Sequence, residues 1–158
     1  MTTINTNVST ESLFALNLHD CAGLIAETGH QVTTLVQGHM GCGKSALLKI
    51  IHQRFPGFTP VYFDCTTKDT GDVMLPKVLG DTEHFTRFAP NEELGLHLGQ
   101  PLLLMIDEFG KNKSIQNPML RLMHERQLGI YKLHPETRLF ATTNLGTEGV
   151  GDLLPPHA

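Results

Sequence analysis

The sequence has few cysteines, and their arrangement is unlike that of a disulfide framework or a zinc site. Its 158 residues include only Cys21, Cys42 and Cys65, an odd number without a C-x-x-C pair. The nine histidines also lack the H-E-x-x-H and H-x₃₋₅-H spacings that bind zinc. Because unpaired cysteines are typical of a reducing compartment, we expect a cytoplasmic protein.

Long apolar runs and an excess of positive charge are also missing. No stretch approaches the roughly 18 apolar residues that a membrane span needs, and the polar amino terminus lacks the basic segment of a secretory signal. The formal net charge of −4 argues against a surface that coats nucleic acid. We therefore expect neither a membrane nor a nucleic acid as a partner.

What the chain does have is enough apolar residues for one domain with a core. Hydrophobic residues make up 40% of the sequence, as in an ordinary globular protein. The polar residues 1–11 are predicted to form a flexible tail. Residues 12–158 are predicted to form a single core domain.

Residues 38–45 read Gly-His-Met-Gly-Cys-Gly-Lys-Ser and fit the pattern G-x-x-x-x-G-K-[ST] of a phosphate-binding loop. Its glycines allow backbone N–H groups to surround phosphate oxygens. Lys44 supplies positive charge to the β- and γ-phosphates, Ser45 offers a hydroxyl to Mg²⁺, and the following helix directs its positive end at the anion. We interpret Cys42 as a small residue that fits the loop, and His39 and Met40 as contributing backbone only. The predicted nucleotide-binding residues are Gly38, His39, Met40, Gly41, Cys42, Gly43, Lys44, Ser45 and Ala46.

Apolar spacing predicts alternating strands and helices. Helices are predicted over 12–26, 44–55 and 72–79, after the capping residue Asn91, and from Asn117, with Pro118 in the first turn, to Gly129. Strands are predicted over 33–36, 61–63, 102–106 and 139–143, the first and third of them buried. This alternation predicts an α/β fold, with a mostly parallel sheet and helices on both faces.

Three strands end in residues that suit phosphate chemistry. Ligands bind beyond the carboxyl ends of parallel strands, where Gly38, Asp107 and Asn144 all fall. Asp107 is a candidate Mg²⁺ ligand together with Ser45. Glu108 is a candidate for polarising the attacking water, and Asn144 for contacting the γ-phosphate. Alone, the acids could be a surface pair and Asn144 a turn former; Thr142 or Thr143 could share the role of Asn144.

The order of these motifs resembles Walker A, Walker B and sensor 1 of AAA+ ATPases, carried by residues 38–45, 102–108 and 140–144. Residues 107–111, Asp-Glu-Phe-Gly-Lys, resemble the D-E-x-x-[KR] segment of the MoxR and dynein-related branch. Residues 117–126 resemble its Q-x-x-L-L-x-x-M-x-E-[RK] helix, and residues 133–136 the hairpin that follows. The resemblance covers about residues 33–156.

The resemblance implies a three-layer P-loop NTPase core that binds ATP or ADP and hydrolyses ATP with Mg²⁺. It implies a hexameric ring that remodels a protein partner. Lys44, Glu108 and Asn144 would be the catalytic residues, and Ser45 and Asp107 would hold the metal. Lys111 could contact a substrate or a neighbouring residue, but we interpret it as a solvated lysine.

The sequence departs from this family in two respects. Leu145 replaces a common proline, and no residues match the arginine finger, fifth core strand or helical lid with sensor 2; Arg121, Arg126 and Arg138 match no finger position. We therefore expect slow hydrolysis by this chain alone, and self-association through the exposed edge of the phosphate-loop strand. A non-catalytic ATP-dependent switch is the main alternative, and a small P-loop kinase, which would need an arginine-rich lid, is another.

Overall fold

The structure, a computed structural model, describes residues 15–78 and 86–144. The predicted tail and the residues after Asn144, Leu145 among them, lie outside the described residues. In chain order the elements are α1 (Leu18–Thr28), β1 (Thr34–Gly38), α2 (Leu47–Arg54), β2 (Thr59–Asp64), α3 (Thr70–Val73), β3 (Met74–Val78), β4 (Thr86–Pro90), β5 (Leu102–Asp107), α4 (Lys113–Glu125), β6 (Gln127–Leu128), β7 (Tyr131–Lys132) and β8 (Arg138–Asn144).

A four-stranded parallel sheet forms the centre of the molecule. Its strands lie in the order β1-β8-β5-β2 and are flanked by helices, which confirms the predicted α/β class. All six residues of β5 are buried, as its continuous apolar run predicts. At the carboxyl ends, Gly38 pairs with Asn144 and Asp64 pairs with Asp107.

The two faces of the sheet bury separate apolar clusters. Leu103 and Met105 of β5 pack with Ile25 of α1 and Ile51 of α2. The alternate residues of β5 pack with α4 on the other face, in a cluster that contains Leu104, Ile106, Met119 and Leu122. Helices therefore cover both faces, because successive side chains of a strand point in opposite directions.

β1 is the exception to the predicted burial of the strands. It lies at an edge of the sheet, and among the described residues it pairs with β8 alone. The side chain of Leu35 is 38% exposed. The short β-branched run over residues 33–36 predicted a buried strand, but burial depends on neighbours that the strand's own sequence does not specify.

α4 begins four residues earlier than predicted, at Lys113, where Asn112 caps the helix by accepting from the backbone N–H of Ser114 at 3.1 Å. Pro118 therefore lies inside the helix, not in its first turn. Because proline has no N–H, it leaves the carbonyl oxygen of Ser114 without its helical donor. The hydroxyl of Thr70 donates to this oxygen at 3.2 Å, which explains how the helix tolerates the proline.

The secondary structure of the segment between β2 and β5 was predicted only in part. The helix predicted over 72–79 is only the four-residue α3, and the chain continues as β3, which pairs antiparallel with β4; Leu79 lies outside the described residues. Pro76, which is unfavourable inside a helix, was an available signal against that helix. Asn91 caps the next helical segment as predicted, since its side chain accepts from the N–H of Glu93 at 2.9 Å, but the chain forms two 3₁₀ turns there, Glu92–Leu94 and Leu96–Leu98, in place of an α-helix.

The remaining helices differ from prediction at their starts. α1 begins at Leu18, where the side chain of Asn17 accepts from the N–H of Asp20 at 2.9 Å, and it ends at Thr28, two residues later than predicted. Residues 44–46 form a 3₁₀ turn that leads into α2. The phosphate-loop motif thus opens directly into a helix.

Candidate functional site

The carboxyl ends of β1, β8 and β5 meet around one cavity of about 190 Å³. Because β8 lies between β1 and β5, Asn144 lies between the glycine-rich loop and the two acids. The cavity is lined by Met40, Gly41, Gly43, Lys44, Ser45, Asp107, Glu108 and Asn144. Five of the residues singled out for chemistry, Lys44, Ser45, Asp107, Glu108 and Asn144, are thus brought together.

The loop after β1 depends on its glycines. Gly41 and Gly43 have φ values of 79° and 88°, in the left-handed region that glycine adopts without strain. A Cβ on Gly38 would lie 2.9 Å from the Sγ of Cys42, so a larger residue there would require the Cys42 side chain to shift. These positions shape a concave backbone that suits an anion.

Lys44 crosses the loop, and only 8% of its surface is exposed. Its Nζ donates to the carbonyl oxygens of Gly38 and His39 at 2.8 and 2.9 Å, and to Oδ1 of Asn144 at 2.8 Å. An ammonium group has three hydrogens, so these acceptors use them all. A phosphate oxygen could reach Lys44 only by replacing one of them.

Asp107 is held by three neutral donors. Oδ1 accepts from the N–H of Glu108 at 3.0 Å and from the hydroxyl of Thr142. Oδ2 accepts from the hydroxyl of Tyr62 at 2.6 Å. None of these donors carries a positive charge, so a charged Asp107 keeps its attraction for a cation.

Glu108 turns the chain at the end of β5 with a φ of 53°, which is unusual for a residue other than glycine. Such a conformation costs on the order of 1 kcal/mol or more and is often found at functional sites. Nδ2 of Asn144 lies 3.1 Å from both carboxylate oxygens of Glu108. Because the chain turns here, Asp107 and Glu108 both line the cavity although they are adjacent in sequence.

Lys111 does not behave as the solvated lysine that the sequence suggested. Its Nζ lies 3.1 Å from Oε1 of Glu108, and its side chain is 20% exposed. The 3₁₀ turn Phe109–Lys111 brings the two side chains together. Lys111, Glu108, Asn144 and Lys44 therefore form a continuous chain of polar contacts, and the last three of them line the cavity.

The other predicted loop residues do not line the cavity. Gly38 and His39 contribute the carbonyl oxygens that bind Lys44, and Ala46 lies in the first helical turn. Cys42 is an exposed, free thiol.

Two contacts of Asp107 were not predicted from the sequence. Thr142 was a candidate to share the role of Asn144 in contacting phosphate, but its hydroxyl donates to Asp107. Tyr62 carries no sequence signal, since its position beside Asp107 follows only from the pairing of β2 with β5. Its hydrogen bond to Asp107, then burial and nearby carboxylates, raise the pKa of Tyr62 above its usual value.

A larger cavity, of about 400 Å³, opens between the start of β1 and α4. It contains none of the acids or lysines of the first cavity, and most of its lining is apolar, including Val32, Leu35, Phe109, Leu120 and Met123. Size alone does not make it the site of chemistry, so we assign the candidate site to the smaller, polar cavity.

Clusters of metal-ligating side chains and membrane-spanning helices would each indicate a kind of partner. Among residues 15–78 and 86–144, no group of three or more histidine, cysteine, aspartate or glutamate side chains is placed to hold a metal ion. No helix in the same part of the chain is long and apolar enough to cross a membrane.

Neither a scan against models of known protein families nor a search of curated proteins finds a match to this sequence.

Proposed function

We propose that this chain binds ATP with Mg²⁺ in the polar cavity and hydrolyses it, as the P-loop core of an AAA+-like motor. The observation that carries the proposal is the meeting of a glycine-rich loop, two acids and an amide around one cavity. A three-layer P-loop core is the finer fold that this function requires. The parallel sheet with helices on both faces is compatible with it.

The loop and Lys44 would hold the phosphates. Gly41 and Gly43 keep side chains out of the concave backbone, and Lys44 is already directed across it. Phosphate oxygens would replace neutral acceptors of Lys44 with charged ones, which make stronger hydrogen bonds. The start of α2 adds the favourable end of its dipole.

The oxygens of Ser45 and Asp107 would hold Mg²⁺. Since the described residues contain no cluster of three ligating side chains, phosphate oxygens and water would complete the coordination, as Mg²⁺ commonly prefers. When bound, the ion offsets negative charge that develops on the phosphates. The neutral donors around Asp107 keep its carboxylate oriented without cancelling its charge.

Glu108 would accept a hydrogen bond from the attacking water, and Asn144 would donate to the γ-phosphate. Both side chains line the cavity, and they are 3.1 Å apart. The contacts with Asn144 and Lys111 use about three of the roughly four acceptor sites of the Glu108 carboxylate, so about one remains for the water.

The same contacts favour a second candidate, a switch that binds ATP but turns over very slowly. Glu108 is held by both Lys111 and Asn144, an arrangement that would oppose water activation if it persisted with ATP bound. The output of such a switch would be a nucleotide-dependent conformation. A kinase is less well supported, since no arginine of the described residues lines the cavity.

A motor core of this kind would work as a hexameric ring on a protein substrate. Both features are part of the proposal and come from the resemblance to AAA+ proteins. They are tested by oligomeric state with ATP, separately from nucleotide binding.

The deciding experiment measures phosphate release and ATP binding for the wild type and Glu108→Gln. We expect turnover to fall on the order of 10³-fold while ATP remains bound, because the amide cannot accept a proton from water. Glu125→Gln, on the exposed face of α4, is the matched control and should leave turnover unchanged. Unchanged turnover in Glu108→Gln would remove Glu108 from its role. ATP binding without turnover in the wild type would favour the switch.

A further inference from the structure

Tyr62 occupies an unusual place beside the proposed metal site. It lies on β2 opposite Met105 of β5, and Asp107 is two residues further along β5, on the same face of the sheet. The hydroxyl of Tyr62 donates to Oδ2 of Asp107 at 2.6 Å. The residue is nevertheless 51% exposed, and it belongs to neither apolar cluster. Packing therefore does not explain why this side chain points its polar end at Asp107.

The hydrogen bond from Tyr62 completes the restraint of Asp107. Oδ1 accepts from the N–H of Glu108 and the hydroxyl of Thr142, and among the described residues Oδ2 accepts from Tyr62 alone. A carboxylate has about four lone-pair sites, so these donors leave about one free. The carboxylate can then present a single acceptor position, which suits a metal ion or a metal-bound water.

We propose that Tyr62 is a positioning residue for Mg²⁺: its hydroxyl sets the rotation of the Asp107 carboxylate so that its free acceptor position meets the ion bound with the nucleotide. The inference rests on the proposed function, in which Asp107 binds Mg²⁺. Residues that orient metal ligands in this way commonly change metal affinity 10- to 100-fold when they are substituted.

The test compares ADP binding by calorimetry at increasing Mg²⁺ concentrations for the wild type, Tyr62→Phe and Tyr131→Phe. We expect Tyr62→Phe to need about ten times more Mg²⁺ for half-maximal enhancement of ADP affinity, while its affinity for ADP in EDTA is unchanged. Tyr131→Phe is the control: it removes the hydroxyl of the other tyrosine, which lies on β7, and it should behave as the wild type. An unchanged or lower Mg²⁺ requirement in Tyr62→Phe overturns the proposed role of Tyr62 and leaves the proposed function standing. Absence of ADP binding in the wild type overturns the proposed function, and the role of Tyr62 with it.

A second measurement keeps Tyr62 in place, and so does not depend on how well Tyr62→Phe folds. The chain has two tyrosines and no tryptophan, so in Tyr131→Phe the ultraviolet emission comes from Tyr62 alone. A phenol that is hydrogen-bonded to a carboxylate emits weakly, and an ion that shares this carboxylate should weaken the quenching. We expect Mg²⁺ added to the ADP complex to raise the emission. The proposed positioning role is overturned if Mg²⁺ leaves the emission unchanged although it changes the affinity for ADP.

Discussion

A buried, positively charged side chain lies at each end of the parallel sheet, and the two side chains have different kinds of partner. At the carboxyl end, Lys44 binds two loop carbonyls and the side chain of Asn144 beside an open cavity. At the amino end, Nε of Arg138 donates to the carbonyl oxygen of Ala26 at 3.1 Å, and its guanidinium lies 4.5 Å from the ring centroid of Phe55. Arg138 thereby joins α1 to the start of β8.

The surroundings explain the difference in role. The arginine at the amino end is held mainly by backbone and aromatic groups that cannot leave without opening the core. The lysine at the carboxyl end lies beside a cavity that is also lined by two acids, where a bound phosphate would replace one of its partners in the proposed function. Burial of a positive charge therefore does not by itself distinguish the two residues, whereas the neighbouring cavity does.

Each end also contains one residue with positive φ that is not glycine, the only two among the described residues. Glu108 has its side chain in the cavity network. Arg126 ends α4 and donates to the carbonyl oxygens of Gly29 and Thr137. Burial, then the charge of Arg138, lowers the pKa of Arg126, as expected for a cation placed in the fold for structural reasons.

The largest effect on stability is expected from Arg138→Met. It leaves the carbonyl of Ala26 without its donor and removes the contact with Phe55, so the free energy of unfolding should fall by about 3 kcal/mol. Urea unfolding measures this change, and ADP affinity of the folded protein should be unaltered. Arg121→Met, which breaks an exposed ion pair, is the control and should cost less than about 1 kcal/mol. Equal costs for the two substitutions would break the comparison.

Lys44→Ala is expected to lower the affinity for ADP, the property that Arg138→Met should leave unaltered. Loss of its charge-assisted contacts with phosphate should weaken ADP binding about 100-fold, or about 2.7 kcal/mol. Calorimetry measures the affinity, with Lys49→Ala on the exposed side of α2 as the control. Undiminished binding in Lys44→Ala would contradict the assignment of the loop as a phosphate site.

Backbone strain should be similar at the two ends, even though the side chains differ in role. At both Glu108 and Arg126, the glycine variant should be more stable than the alanine variant by about 1 kcal/mol, because only glycine adopts positive φ freely. Thermal unfolding of the four variants measures the two differences. A difference near zero at Glu108 would mean that its conformation relaxes once the side chain is removed.

The smallest perturbation is chemical modification of thiols at neutral pH. Cys42 is exposed in the loop, whereas burial raises the pKa of Cys21, and burial with nearby carboxylates raises that of Cys65 to about 12. The last two should contain almost no thiolate, so one thiol per folded chain should react rapidly with a disulfide reagent and three after denaturation. Added ADP with Mg²⁺ should slow the reaction of Cys42. Rapid reaction of all three would show that the core opens readily.

Local patterns determined much of the candidate site. The eight consecutive residues of the loop, the apolar run before Asp107 and the strand before Asn144 each specify an element and the residue at its end. Since parallel strands share one carboxyl edge, these patterns were sufficient to predict that Lys44, Asp107, Glu108 and Asn144 meet. The α/β class followed from the same alternation.

Only the tertiary structure decided how these residues contact one another. The pairing of β1 with β8 and the donation of Thr70 to Ser114 join segments that are distant in the sequence. The bond from Tyr62 to Asp107 spans 45 positions and exists because β2 is the neighbour of β5. Local sequence specifies which groups stand at the strand ends, but strand order and register, which depend on packing of the whole chain, select the partners of each group.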